Sequence, residues 1–540
     1  MSDPKADPPA AAQAVDLSPV APLREPVFRI LWLTWLVANV CMWMNDVAAA
    51  WLMTSLTDKA LWVALVQTAS TLPVFLLGLP SGALADILDR KRYFLVTQLW
   101  VAVVGAVLCA AVLMGALSPL LLLMLTFANG IGLAMRWPVF AAIVPELVNR
   151  PQLPAALALN GVSMNASRII GPLVAGALIA SAGIAWVFLL NAVLSLAAAV
   201  VISRWKRVST PDPLGRERLI PAMRVGYRYV MQSRPLKAVL LRISLFFFHS
   251  TAIMALLALV AKGMQGGDAA TFTFLLAAMG AGAIAAAGVL PRLRRRYVRD
   301  QLVFRGAALQ AASMAVIAST DHIGVALPAM FLGGAAWITT ANSLSLSMQL
   351  GLPNWVRARG MSIYQMALMG SSAVGAAVWG QVATVSSVSV CLLIAAVTSV
   401  ITMYLAIRSM PDVGTPDDLT PHRLVQTTAP SLTPSTGQVV ITVEYTIDPE
   451  RAADFRLLMK TEGRRRRLRH GALSWELLHD INHPQRFLEV IIDESWTEHL
   501  RRFDRNTADD ILFRERKQSF HLGVDPPRIH RYVMETTVRE

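Results

Sequence analysis

Asp46, Arg136, Arg168 and His249 are ionisable side chains inside long apolar runs of this 540-residue chain. Hydrocarbon makes an isolated charge costly, so such residues normally face a cavity, a partner or a moving ion. Asp46 is the one carboxylate placed well within a run. A carboxyl there can take a proton from one side and release it to the other, which is the chemistry of ion coupling. The alternative is an interfacial Asp46 near the outer end of the first run, tied to neighbouring backbone. Arg168, in the middle of the fifth run, is the candidate counter-charge, or else a structural tie between two helices. Arg136 lies toward the inner end of the fourth run, where its long side chain can reach water. His249 is either a pathway residue or a packing histidine. Trp32, Trp35, Trp43, Trp51 and the run Phe246-Phe247-Phe248 offer the wall of an apolar cavity or a lipid-facing surface.

Positioning these residues takes helices that cross a bilayer. Hydrophobic residues make up 55% of the chain and charged residues 16%, with a mean hydropathy of +0.50. A soluble domain carries about 25% charged residues. Soluble, disordered, collagen-like and disulfide-scaffold classes are therefore excluded. Residues 1–22 read as a disordered tail with no signal peptide. A span needs about 20 apolar residues. Such runs follow at 28–53, 61–84, 93–116, 119–143, 157–180, 183–203, 239–261, 271–291, 302–319, 323–349, 360–381 and 387–407. With the N-terminus inside, the inner loops carry 20 basic residues and the outer loops only Lys59 and Lys262. This bias predicts a multi-pass protein of the bacterial inner membrane with both termini cytoplasmic.

The two halves echo each other. Gly171-Pro172 to Gly176 in span five is matched by Gly375 to Gly380 in span eleven, and the loop after span two by the loop after span eight. The reading is an all-α membrane protein of two six-helix repeats, 23–203 and 239–408. Between them, 204–238 is a cytoplasmic linker with an amphipathic helix after Pro221. Its apolar face is Met223, Tyr227, Val230 and Met231, resting on the inner leaflet or solvated as a linker.

A Pro/Thr/Ser-rich linker, 409–436, leads to a segment of ordinary soluble composition, 437–540, with 18 basic and 18 acidic residues. The net charge of +14 thus lies in the membrane part and signals loop orientation, not nucleic acid. Strands at 439–445, 472–479, 486–493 and 528–534 alternate with a helix at 449–469 and a second carrying Trp496, Leu500, Phe503, Thr507 and Ile511 on one face. The order βαββαβ predicts an α+β, ferredoxin-like domain. The run Arg464 to Arg467 with Arg469 suits a helix C-terminus and offers a contact to anionic lipid. His479 and His483 flank a turn rather than share a helix face, and the three cysteines are unpaired by spacing, so no metal site is expected. His499 beside Trp496 marks either a small-molecule pocket or helix packing.

The segment Gly82-Ala-Leu-Ala-Asp86-Ile-Leu-Asp89-Arg90-Lys91-Arg92 resembles the signature loop of the major facilitator superfamily, with Ile87 and Asp89 departing from its usual pattern. That resemblance implies a gate in which Asp86 docks at the inner start of span eleven, near Arg357 and Arg359. Gly171, Pro172 and Gly176 resemble the span-five helix-packing motif of superfamily antiporters. The runs Trp43-Met-Asn-Asp46, Trp51-Leu-Met-Thr54, Asn165-Ala-Ser-Arg168 and Ser495-Trp496 to Arg501 resemble the enterobactin-exporter-like branch, the transmembrane secretion effectors. The resemblance implies proton-linked export of a siderophore- or drug-like molecule, with no cofactor and no enzymatic step. The tail resembles the antibiotic-biosynthesis-monooxygenase type of fold. Its residues leave open an oxidative enzyme, a sensor or a self-association module, and the transporter reading leaves open uptake.

Overall fold

The computed structural model describes residues 18, 20–205, 219–353, 355–411, 437–523 and 525–534. The expected N-terminal tail and the 409–436 linker fall largely outside the described residues. Among the described residues, twelve helices are long and apolar enough to span a membrane. They are α1 (Pro26–Leu56), α2 (Ala60–Ile87), α3 (Arg90–Leu113), α4 (Pro119–Leu147), α5 (Leu153–Ser181) and α6 (Ile184–Arg204), then, after α7 (Leu219–Gln232), α8 (Arg234–Gly263), α9 (Ala269–Arg296), α10 (Arg299–Ala318), α11 (Ile323–Leu350), α12 (Arg357–Val385) and α13 (Val388–Ser409). Side chains open several of them. Asp89, Ser118 and Ser387 accept from backbone N–H groups three residues on, and Asp268 forms a capping box with Thr271. Pro73, Pro80, Pro172, Pro291 and Pro328 sit inside helices, which packed membrane helices accommodate.

Packing repeats with the sequence. Within the first half α1 meets α5 and α6, α2 meets α4, and α3 meets α6; within the second, α8 meets α12 and α13, α9 meets α11, and α10 meets α13. The halves join through α2 against α12 and α5 against α9, each the repeat image of the other. The paired glycines show why. A methyl at Gly171 would strike the Cβ of Trp43 within the first half, and one at Gly375 would strike the backbone of Phe248 within the second. A methyl at Gly176 would strike Thr273 across the seam, and one at Gly380 would strike Ala64 across it. In each motif one glycine closes a half and the other joins the halves.

The tail forms β1 (Val439–Thr446), α14 (Ala452–Leu458), a π-turn and α15 (Arg464–Arg469), β2 (Ser474–His479), β3 (Arg486–Asp493), α16 (Trp496–Asp504), α17 (Ala508–Gln518) and β4 (Arg528–Val533). The sheet is antiparallel throughout, in the order β2-β3-β1-β4, with Ile441 opposite Ile491 and Arg531. The alternation read in Val439, Ile441, Val443 and Tyr445 is a buried face packed on Phe455, Phe487 and Phe513. The single second helix expected from Trp496 to Ile511 is two helices. Thr507 starts a new one by a capping box with Asp510, so it caps α17 rather than extending the face of α16.

The linker helix corrects two expectations. Its buried residues are Val225, Tyr229 and Val230, while Tyr227 is exposed. The buried face packs on α12 and on α15 of the tail. Arg224 pairs with Glu494, and Arg228 donates to the carbonyls of Ala472 and Leu473 at 2.6 and 3.1 Å. Trp355, just before α12, meets Tyr229, His470 and the guanidinium of Arg505 at 5.5, 6.4 and 5.1 Å. Contacts between segments more than 100 residues apart leave no local periodicity to read.

Candidate functional site

Residue spacing on α1 assembles the site. Asn39, Trp43 and Asp46, at i, i+4 and i+7, share one face. The close approach at Gly171 brings Arg168 of α5 beside that face, with its guanidinium 5.3 Å from the Trp43 ring. On its other side, 5.7 Å away, is the ring of Trp337 on α11, which belongs to the opposite half. Phe247 of α8 meets Trp337 edge-on at 5.2 Å. Arg168 is therefore held at the seam of the two halves by aromatic faces, an arrangement that attracts a cation. The Nε–H of Arg168 and the indole N–H of Trp43 are buried with no hydrogen-bond partner among the described residues. Two donors are left for something else to accept.

Asp46 accepts a hydrogen bond from Ser70 of α2 at 3.0 Å. The structure packs α1 against α5 but forms no ion pair within 4.0 Å between Asp46 and Arg168. Arg136 does not reach out to water as its position suggested. It is 3% exposed, and its guanidinium lies 5.4 Å from the Trp35 ring, which stacks on Phe140 at 4.1 Å. It borders a cavity of about 10 Å³ with Asn129 and Asn191, roughly the room of one water. At His249, Nδ1 is 2.8 Å from the Leu245 carbonyl oxygen, and the ring lies among Phe248 and Trp379. The span-one tryptophans divide. Trp32 and Trp35 donate to Leu159 O and Asn160 Oδ1 of α5 at 3.0 and 2.6 Å, which is structural, whereas Trp43 faces the seam.

Sequence reasoning missed the amides around this site. Asn191 donates to Asn45 Oδ1 at 3.4 Å and accepts from Ser195 at 3.3 Å, and Asn39 bonds the Trp35 carbonyl at 2.8 Å. Their signal was present as asparagines within apolar spans. Arg242 was missed too. It is 1% exposed and pairs in two bonds with Asp300, at 2.6 and 3.1 Å, while donating to Met410 O, which ties α8, α10 and α13.

The signature loop is partly visible. Asp89 caps α3, its Oδ1 accepting from Arg92 N at 2.9 Å, and Arg90 pairs with Glu146 at 2.7 Å. The side chains of Gly82 and Asp86 lie outside the described residues. Arg357 donates to Leu352 O at 3.3 Å, and the stem of Arg359 packs over Gly226 of α7. The ends that loop charges place outside are fastened. Lys262 of α8 donates to Thr54 O at 3.0 Å and pairs with Asp58 at 3.5 Å; Trp51 stacks on Phe272 at 6.0 Å; Leu61 N donates to Thr384 Oγ1 at 2.9 Å.

The tail treats charge differently. Glu489 is fully buried and accepts from Arg467, Lys517, Trp475 and Tyr445, at 2.8, 3.2, 3.0 and 2.9 Å. Burial alone pushes its pKa up, but Arg467 and Lys517 outweigh that and hold it well below the usual carboxylate range. Burial lowers Lys517 to about 8. Asp493 takes Arg502 at 2.7 Å and His499 at 2.9 Å; Asp510 takes Arg466 at 3.2 Å and His470 at 3.3 Å. Burial pushes both carboxyls up, but Arg502 and His499 at Asp493, and His470, Arg469 and Thr507 at Asp510, outweigh it and hold both below their ordinary range. The arginine run is turned inward at Arg466, Arg467 and Arg469, leaving Arg464 and Arg465 exposed toward solvent or lipid. His479 stacks on Phe487 at 4.3 Å, and no group of metal-ligating side chains occurs among the described residues.

Known proteins can now be set beside this geometry. The family described as transmembrane secretion effector matches residues 17–538. The chain is 26% identical over 365 residues to the enterobactin exporter EntS of Escherichia coli O1:K1, covering 66% of this chain and 85% of that protein. It is 23% identical over 254 residues to the staphyloferrin A transporter of Staphylococcus aureus, covering 46% of this chain and 63% of the other. Against EntS of Shigella boydii the match spans 62% of that protein's length, under two thirds. Among solved structures, a bacterial homologue of the human lysosomal transporter Spinster, inward-facing and unoccupied, superimposes with a TM-score of 0.56 at 14% identity, over 71% of this chain and 96% of that one. The nucleoside transporter NupG gives 0.57 at 12%, over 72% and 100%.

Proposed function

Because the chain belongs to the transmembrane secretion effector family of the major facilitator superfamily, a family of transport proteins acting on small molecules, we propose that it exports a small, partly apolar molecule from the bacterial cytoplasm by alternating access, driven by proton antiport. The carrying observation is Arg168: an unpaired guanidinium between Trp43 and Trp337, at the joint of two halves whose outer ends are fastened. Flat aromatic walls suit an apolar body, and the free N–H groups of Arg168 and Trp43 suit an oxygen acceptor on it, as in siderophore- or drug-like compounds. Because Trp337 lies across the seam, rocking the halves apart dismantles the site, which is how a site alternates between sides.

Asp46 is the proposed proton carrier. It lies ten residues before the outer end of α1, bonded to one hydroxyl, free to exchange a proton without breaking an ion pair. One proton crossing about 100 mV supplies about 2.3 kcal/mol, enough for roughly a fiftyfold gradient of a neutral substrate. Both termini and the tail are cytoplasmic in this reading.

The first test compares untargeted metabolites in medium from cells with and without the gene. Export predicts a compound depleted from the medium of the knockout and enriched in its cells; the reverse pattern means uptake. The identified compound is then followed in vesicles with an imposed pH gradient. Asp46→Asn should still exchange it passively and fail to concentrate it. Uphill transport of unchanged size removes Asp46 from the mechanism.

A further inference from the structure

The tail contains a cavity of about 220 Å³ between the inner face of β1 and β4 and the helices α15 and α17. One wall is apolar, formed by Ile441, Val443, Ile491, Phe513, Pro527 and Ile529. The other is rich in cations; its one carboxylate among the described residues, Asp510, is held by Arg466 and His470, and the remaining charges do not cancel. Glu489 neutralises only one of the two cations bonded to it, Arg467 and Lys517. Asp493 is taken up by Arg502 and His499. At the rim Arg514 and Arg531 line the cavity, are exposed, and have no carboxylate within 4.0 Å among the described residues. The one surplus charge buried beside Glu489 is unfavourable until an anion supplies the balance, and the two exposed rim arginines add to the attraction for it.

We propose that this cavity is a binding site for a small organic acid: one carboxylate on an apolar body about the size of an aromatic ring. The carboxylate sits among Lys517, Arg514 and Arg531, where charge-assisted hydrogen bonds are strong. The ring lies between Phe513 and the β1 side chains. The volume is below the range of about 300–1,000 Å³ that accommodates drug-sized ligands, which fits a single ring with one acidic group. This site is separate from the transport pathway and requires no proton movement. His470 forms part of its wall and meets Trp355 at the start of α12, so occupancy lies one side chain from the membrane helices.

The test uses the full-length protein in nanodiscs and equilibrium dialysis of radiolabelled benzoate, with benzamide as the uncharged analogue and inorganic phosphate as a bare anion. The expected result is saturable binding of one benzoate per chain, with benzamide roughly tenfold or more weaker. Arg514→Ala combined with Arg531→Ala, both exposed positions, should weaken benzoate by a similar factor while circular dichroism and melting stay unchanged. Ile529→Trp, which fills the apolar wall from the edge strand, should also weaken it. Absence of saturable benzoate binding overturns the proposal. So does equal binding of benzamide, undiminished binding in the double variant, or phosphate competing as well as benzoate does.

Discussion

The membrane unit and the tail bury charge in opposite ways. The three buried carboxylates described in the tail, Glu489, Asp493 and Asp510, each hold at least one cation within 3.3 Å. In the membrane unit Asp46 holds a hydroxyl, Arg168 lies between two rings, and Arg136 lies over one. The tail must keep one arrangement, and saturated pairs enforce it. Under the proposed alternating access, the pathway must change arrangement each cycle. Breaking a buried pair by removing one partner costs about 3–5 kcal/mol, because the other charge is left uncompensated. A pathway built on such pairs would pay a similar cost on every stroke. Aromatic faces hold a cation with about 0.5–2 kcal/mol, weak enough to release. Arg242 with Asp300 fits the contrast from within the membrane unit: that pair ties helices of a single half, which the proposed cycle leaves together.

The largest effect expected from this contrast is at Glu489. Glu489→Gln keeps the shape and can still accept from Trp475 and Tyr445, but leaves Arg467 and Lys517 without a counter-charge. It should lower tail stability by about 3–5 kcal/mol. Hydrogen exchange of β1 and β3 in the full-length protein reads this directly. Unchanged protection there would mean that the ion pairs are incidental to the fold.

Acid should act in the same direction with a smaller effect near neutrality. Glu489, Asp493 and Asp510 have depressed pKa values, so their contribution is present above the unfolded value of about 4 and is lost as pH falls through the folded one. His470 and His499 are held neutral by burial, below the ordinary histidine range. The unfolded chain protonates them near about 6.5, so stability also falls as pH drops below that. Lys517, lowered to about 8, is a cost below pH 8 that is relieved at higher pH, again favouring the alkaline side. Exchange protection of the tail should therefore decline between pH 7.5 and 5.5. Greater protection at pH 5.5 would reverse the assigned signs.

The elements of both regions could be read from the sequence, but their charge partners could not. Apolar run length located all twelve membrane helices, and strand alternation located β1, because both are local properties of the chain. The glycine motifs also showed the repeat, since Gly171 with Gly176 and Gly375 with Gly380 recur at nearly equal offsets. Asp46 and Arg168 were found as charges out of place. What holds Arg168 was not: Trp337 lies 169 residues away in the other half, and a ring contact carries no spacing rule. Glu489 looked like one of many tail carboxylates, and only tertiary packing brings four donors to it. The face of α7 was misread by one step because its partners, Trp355 and the tail, are distant in sequence.

Arg136 gives the smallest expected change in stability and the sharpest test of the contrast. Its guanidinium is 3% exposed, faces the Trp35 ring and a one-water cavity, and has no carboxylate within 4.0 Å among the described residues. Arg136→Met removes the cation–π contact, worth about 0.5–2 kcal/mol. It also removes an unpaired charge from an apolar surrounding, which is favourable, and the thioether keeps a contact with the indole. These terms oppose each other at similar size, so the membrane unit's stability should change by no more than about 1 kcal/mol. Transport should respond differently. The positive charge shares a small cavity between α1, α3, α4 and α6 with the amides of Asn129 and Asn191, and its loss should slow export roughly tenfold, equal to about 1.4 kcal/mol on the rate-limiting barrier. Thermal unfolding of the purified protein and export from vesicles, measured on one preparation, separate the two readings. A fall in stability as large as that of Glu489→Gln, with export reduced only in proportion to folded protein, would make Arg136 a structural charge like those of the tail.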